Sequence, residues 1–363
     1  MRRRSILAAM TTLSLFCAAL TACGQKTSDS AASSTPGSAA ISGAGATFPA
    51  PIYSHWAEAY KGQSGVSLNY QPIGSGGGIK QIKAKTVDFG ASDKPLKPDE
   101  LAAAGLYQFP TVVGGVVPAI NVPGIASGQL KLTGPLLADM FQGAVKAWND
   151  PRIAALNPGL KLPALPITPV HRSDGSGTTF LFTTYLAGQS PVFAQKIGAS
   201  DSVSWTSGLG GKGNDGVAAF VRQTAGSIGY VEYAYARQNN IALALIQNRA
   251  GQYPAPDASA FSAAAAGADW AHAPGNYLLL LNQPAANAWP ITGATFILVY
   301  RQPADGARAA SVLKFFDWAY SNGDAAAAKL AYVPLPAAVK ALVRQQWSSE
   351  IKGADGKAIW AAK

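Results

Sequence analysis

The sequence predicts an α/β fold with mixed sheets, and three observations point there. Apolar, β-branched runs such as VSLNY, VDFGAS, VVGGVVPAI, IGYVEYAYA and TFILVY alternate with helical stretches from Ile41 almost to the C-terminus, the pattern of strands and helices interleaved along one chain. The 363 residues are enough for two ordinary domains with sizeable cores. No period of about 20–50 residues recurs, so repeat architectures are excluded.

The elements follow in chain order. Arg2, Arg3 and Arg4 precede the short apolar stretch SILAAMTTLSLFCAALTA, which is too short and too lightly flanked for a transmembrane helix and reads as an export signal over residues 1–22. It ends in Leu20-Thr21-Ala22-Cys23, the pattern of a bacterial lipoprotein signal, in which the cysteine thiol takes a diacylglycerol. Cys17 leaves with the signal, so the only mature thiol is Cys23, and a disulfide framework is excluded. GQKTSDSAASSTPGSAA follows. It cannot bury a core and makes residues 23–40 a flexible tether with a reach of roughly 20–25 Å. The globular part begins near Ile41. Its helical stretches are APIYSHWAEAYK, TGPLLADMFQGAV, GTTFLFTTYLAG, NDGVAAFVRQ and AASVLKFFDWAYS, and DASAFSAAAAGADWAHAPG is expected as a surface helix with loops.

The formal charge is +10. Losing the three signal arginines leaves 26 basic against 19 acidic residues, or +7. That balance favours anionic partners in general. The cations are scattered without aromatic interleaving, which argues against nucleic acid.

Three segments share one design, small hydroxyl residues and glycines immediately before a helix: GAGATFPAPIYSHW, GSGGGIKQI and RSDGSGTTFLF. Each places a Ser or Thr near a helix N-cap, where unpartnered N–H groups and the helix dipole favour an anion. The third carries Arg172 just ahead of its cap. Sharper motifs fail. Gly74 to Lys80 resembles a P-loop, but Ile79 and Gln81 flank the lysine. Gly43 and Gly45 lack the third glycine of a dinucleotide fingerprint, and Asp174 stands where a nucleophile elbow needs glycine before Ser176. His171, Asp174 and Ser176 lie too close on one loop to orient as a triad. His55 and His272 stand singly, and no cluster has metal-ligand spacing.

At these three segments the sequence resembles the substrate-binding protein of the bacterial phosphate-specific ABC transport system. The resemblance runs from about Ile41 nearly to the C-terminus and includes GAGATFPAPIY, YQPIGSGGGIKQI, VDFGASDKPL, QFPTVVGGVV, LNPGLKLP, HRSDGSGTTFLFT, GLGGKGNDG, GYVEYAYA, WPITGATFIL and LKFFDWAY. It implies a type II periplasmic-binding-protein fold whose two α/β lobes close on a dehydrated phosphate. Lobe one would take residues 41–115 and 297–363 and lobe two residues 116–296, with VVGGVVPAI and TFILVY as hinge strands. It also implies that the phosphate contacts are Thr47 and Phe48 through backbone N–H groups plus the threonine hydroxyl, with Ser75, Asp93, Arg172, Ser176, Gly177 and Thr178. Asp174 would pair with Arg172. No cofactor, metal or catalysis is implied. The partners are inorganic phosphate and permease subunits, for a monomer held by Cys23 at a membrane in the periplasm or at the cell surface.

Two positions depart from the family pattern: Gly76 stands where many members have serine, and His171 where a basic residue is frequent. GLGGKGNDG reads as a turn before a helix, near the cleft mouth at most. Two other function classes remain open at this point. A module for sulfate or molybdate needs no carboxylate in the site, and a serine hydrolase needs Ser176 reactive and His171 essential.

Overall fold

The structure is a computed structural model and describes residues 40–361. The signal segment, Cys23 and the tether up to residue 39 lie outside the described residues. The chain runs through β1 (Ile41–Gly45), α1 (Ala50–Ser64), β2 (Leu68–Gln71), α2 (Ser75–Lys83), β3 (Phe89–Ser92) and α3 (Pro98–Ala104) into the long β4 (Leu106–Asn121). Next come β5 (Lys131–Leu132), α4 (Gly134–Phe141), α5 (Pro151–Leu156), β6 (Thr168–Arg172), α6 (Gly177–Gln189) and α7 (Pro191–Lys196). Then follow β7 (Leu209–Gly211), α8 (Gly213–Gln223), β8 (Ser227–Glu232), α9 (Tyr233–Gln238), β9 (Ala242–Leu243) and β10 (Leu245–Ile246). The chain closes with α10 (Ala258–Ala265), β11 (Thr292–Tyr300), α11 (Gly306–Asn322), α12 (Asp324–Lys329), β12 (Val333–Pro334) and α13 (Ala337–Glu350).

The main sheet has the order β2-β1-β3-β11-β4-β8-β6-β7 and is mixed, as the sequence predicts. β1 lies parallel between β2 and β3, β11 runs antiparallel between β3 and β4, and β8, β6 and β7 are mutually parallel. β4 ties the two halves together. Its residues Leu106 to Gly115 pair with β11 and Val116 to Asn121 pair with β8, so it changes partner between Gly115 and Val116. Every residue of β4 but the last is buried, which is why its sequence is a continuous apolar run rather than an alternating one.

Local chemistry sets the boundaries. α1 starts on a proline and ends at Gly65 with φ +73°, a left-handed C-cap. Its buried face of Ile52, Tyr53, Trp56 and Tyr60 packs on the sheet. Two expectations are corrected. IGYVEYAYA stops being a strand at Glu232, because that side chain accepts the Ala234 N–H and caps α9. DASAFSAAAAGADWAHAPG is not merely superficial, since Phe261 and Trp270 are buried. The Phe261 ring lies over Gly115, where an added Cβ would come 2.0 Å from it, so the absence of a side chain at the strand junction makes room for α10.

β1, β3 and β6 all deliver their carboxyl ends to one place. β1 leads to Thr47, β3 to Asp93, and β6 ends on Arg172, the strand ends where open α/β sheets present ligand sites.

Candidate functional site

Three tyrosines shape the loop between β1 and α1. The carbonyls of Ala46, Thr47 and Phe48 each accept a hydroxyl, from Tyr70, Tyr235 and Tyr332 respectively, all at 2.6 Å. With three successive carbonyls anchored, the N–H groups of Thr47 and Phe48 have no partner among the described residues and are open to a ligand. The Phe48 ring itself packs in the core beside Tyr332. Tyr332 has one phenolic proton but reaches two acceptors, the Phe48 carbonyl and Glu232 Oε2 at 3.0 Å. A protonated Glu232 completes that chain, and burial pushes this carboxyl up to about 8.

Ser75 opens α2 behind Gly74, whose φ of +88° suits glycine. Its Oγ accepts the Asp93 N–H at 3.2 Å. Asp93 Oδ1 accepts the Thr295 hydroxyl at 2.7 Å, and no group among the described residues bonds its Oδ2. The carboxyl is buried, and burial pushes it up to about 7 against the pull of the Thr295 hydroxyl and the Arg172 charge.

Opposite, Arg172 offers a fork to Asp174, Nε to Oδ1 at 2.7 Å and Nη2 to Oδ2 at 2.5 Å. Its Nη1 reaches the Thr178 hydroxyl at 3.4 Å, so the guanidinium is held rigid with N–H donors still unspent. Asp174 also accepts the Gly213 N–H at 3.0 Å. Ser176 caps α6 by accepting the Thr179 N–H at 3.0 Å. The N–H groups of Gly177 and Thr178 are then the open donors of that first turn.

The two walls touch. Gly76 donates to the Gly175 carbonyl at 2.9 Å, and Lys94 pairs with Asp201 at 3.1 Å. An added Cβ on Gly177 would stand 2.6 Å from both Asp93 Cβ and Ser75 Oγ. Thr47, Phe48, Ser75, Asp93, Arg172, Ser176, Gly177 and Thr178 are therefore brought together where the two walls meet, with Asp174 paired to Arg172. The chemistry available there is a set of N–H and O–H donors, one guanidinium and one carboxyl with a free oxygen.

Several expectations shift in detail. Only Ser176 is a side-chain cap; α1 is capped by Pro49 and α2 by Gly74, neither with a side-chain bond. Thr47 and Ser75 therefore spend their hydroxyls across the site rather than on their own helices. GLGGKGNDG lies deeper than the cleft mouth, because Asn214 is fully buried and bonds Thr47. His171 bonds the Arg172 carbonyl and stacks on Trp205 at 5.2 Å, and Asp174 is occupied by Arg172, so no triad forms around Ser176. Among the described residues no group of His, Cys, Asp and Glu could hold a metal, and no helix is long and apolar enough to cross a membrane. Sequence reasoning missed Thr295, Asn214, Glu232 and the three tyrosines, although NDG and GYVEYAYA were signals within its motifs.

Comparison with known proteins decides the family. A PBP superfamily domain matches residues 30–323. The phosphate-binding protein PstS of Pasteurella multocida is 52% identical over 320 residues, covering 88% of this chain and 93% of its own length. The chain belongs to the PstS family. The PstS protein of Xylella fastidiosa (strain Temecula1) is 49% identical over 356 residues, covering 94% and 98% of the two chains. A periplasmic phosphate-binding protein, PfluDING, solved with phosphate bound, superposes with a TM-score of 0.72 at 24% identity, covering 89% of this chain and 99% of its own. That likeness speaks to the fold, a type II periplasmic-binding-protein fold with a mixed sheet.

Proposed function

We propose that this chain captures inorganic phosphate outside the cytoplasm and hands it to the permease of an ABC transporter, binding the ion without chemistry. One observation carries the reading: buried residues where the walls meet join an oxyanion donor set to one carboxyl, Asp93, whose Oδ2 is open. Thr47, Phe48, Ser75, Arg172, Ser176, Gly177 and Thr178 supply N–H and O–H donors in place of water. Asp93 needs a ligand that brings a proton. Phosphate carries at least one P–OH at neutral pH and can share it with the carboxyl, whereas sulfate offers only lone pairs there. In a water-excluded site that repulsion is poorly screened. Calorimetric titration with phosphate, sulfate and molybdate tests this: one phosphate should bind per chain and the other two anions far more weakly. Equal binding of sulfate would overturn it.

Closure brings residues 41–115 and 297–363 onto residues 116–296, and the change of partner in β4 between Gly115 and Val116 supports that division. β4 and β11 serve as the connecting strands. The protein acts as a monomer, held to a membrane by a lipid on Cys23. The Leu20-Thr21-Ala22-Cys23 sequence supports the anchor. Acyl labelling should mark the wild type, and Cys23→Ala should lose the label while its purified globular part binds phosphate unchanged. An unlabelled wild type would remove the anchor and spare the binding.

A further inference from the structure

A hydroxyl donates as readily as it accepts, so something must commit the Thr47 and Thr178 protons to the ligand. Asn214, on the first turn of α8, is fully buried and meets both. Its own N–H reaches Thr47 Oγ1 at 3.2 Å and its Nδ2 reaches the same oxygen at 2.8 Å. Nδ2 also faces Thr178 Oγ1 at 3.4 Å, and Arg172 Nη1 approaches that oxygen at 3.4 Å. The orientation of the amide is set independently, because Oδ1 accepts the Glu232 N–H at 2.9 Å. A flipped amide would leave that buried N–H without an acceptor. Each threonine oxygen thus faces two N–H donors, which occupy its lone pairs and leave its own proton to point into the cleft.

We propose that Asn214 is a positioning residue that makes Thr47 and Thr178 donors only, an inference that rests on the phosphate reading above. The setting fixes how the ion sits. Neither threonine can then accept the phosphate P–OH, so Asp93 Oδ2 is left as the one charged acceptor for it, and the bare oxygens go to the donors. The device exists only when the cleft is shut, since Thr47 precedes α1 on one wall and Asn214 stands on α8 of the other. Gly213, with φ +72° and its N–H on Asp174, makes the turn that brings Asn214 in.

The test is a double-mutant cycle read by phosphate calorimetry on wild type, Thr47→Val, Asn214→Ala and the double variant. Asn214→Ala should weaken phosphate about tenfold in the wild-type background and no more than about threefold beside Thr47→Val, because the hydroxyl it sets is gone. A purely structural Asn214, supporting the Glu232 N–H alone, would cost the same in both backgrounds, and that result overturns the proposal. Should Asn214→Ala fail to fold, Asn214→Asp enters the same cycle. It keeps the acceptor for Glu232, and its repulsion of the anion is common to both backgrounds and cancels. If Thr47→Val binds phosphate like wild type, the phosphate site itself is misplaced and the inference falls with it.

Discussion

On the wall that carries Arg172, the parts support one another from close by: Asp174 grips the guanidinium and Ser176 caps the helix that presents Gly177 and Thr178. On the wall that carries Thr47, support comes from far along the chain. Thr47 leans on Asn214, Ser75 on Asp93, Asp93 on Thr295, and the loop carbonyls on Tyr70, Tyr235 and Tyr332. One wall is prepared mostly by its own residues 172–178, with Gly213 and Asn214 adding one donor each. The other is prepared by the finished fold and, through Asn214 and Tyr235, by its opposite number. Disturbing the first should remove binding energy directly, whereas disturbing the second should alter selectivity and closure.

The largest effect is expected for Arg172→Ala, which removes the charge of the self-supporting wall and leaves the part-buried Asp174 with the Gly213 N–H alone. Phosphate titration should show a loss of about 2–4 kcal/mol. Arg152→Ala, on the exposed surface with Asp139 and Asp150, should stay within about 0.5 kcal/mol. Gly177→Ala comes next. Its methyl meets Asp93 and Ser75 across the cleft, so it should hold the walls apart at a cost of about 1–3 kcal/mol in phosphate affinity. Small-angle scattering with saturating phosphate should show a wider particle than wild type.

Asp93→Asn is the mildest and tests the assembled wall. Phosphate binding should persist while the preference over sulfate shrinks at least about tenfold, or 1.4 kcal/mol, in competitive titration at pH 7. An unchanged preference would make Asp93 a structural residue. The wild type should show a related pH effect. Burial pushes Asp93 up to about 7, so as pH falls through that value the carboxyl gains a proton it can donate to sulfate, and the preference narrows from the acid side. The same shift has a sign for stability. The folded state keeps protons on Asp93 and Glu232 that the unfolded chain releases. The ligand-free protein should therefore lose stability as pH rises from about 4 to about 8, seen as a falling melting temperature, and Asp93→Asn should flatten the portion below about 7.

The contrast between the walls also explains what the sequence could reveal. Arg172, Asp174, Ser176 and Thr178 lie on one loop-to-helix segment, and capping rules plus charge point to them without tertiary information. β4 and β11 were legible as unbroken apolar runs. Thr295 looked like any strand threonine, because only the pairing of β11 with β3, which sets Phe296 opposite Ser92, brings it to Asp93. Tyr70, Tyr235 and Tyr332 are separated by up to 262 positions in the sequence, and nothing local marks them as serving three adjacent carbonyls. Asn214 sat inside a flagged motif, but its glycines suggested a turn, and burial of its amide depends on the opposite wall.

Enclosure has a kinetic consequence. With Ser75, Ser176 and Thr178 at 0% exposure and Arg172 at 5%, an ion held in the proposed site would have no exit path through standing walls. Each exchange must wait for the Gly76–Gly175 and Lys94–Asp201 contacts to part. The escape rate is then capped by the frequency of opening, a motion of the microsecond-to-millisecond class, however the free ion is diluted outside. Isotopically labelled phosphate should leave at a rate independent of the concentration of unlabelled competitor. A membrane receptor that spreads the walls would act on the cargo as a mechanical release, without ever touching the ion.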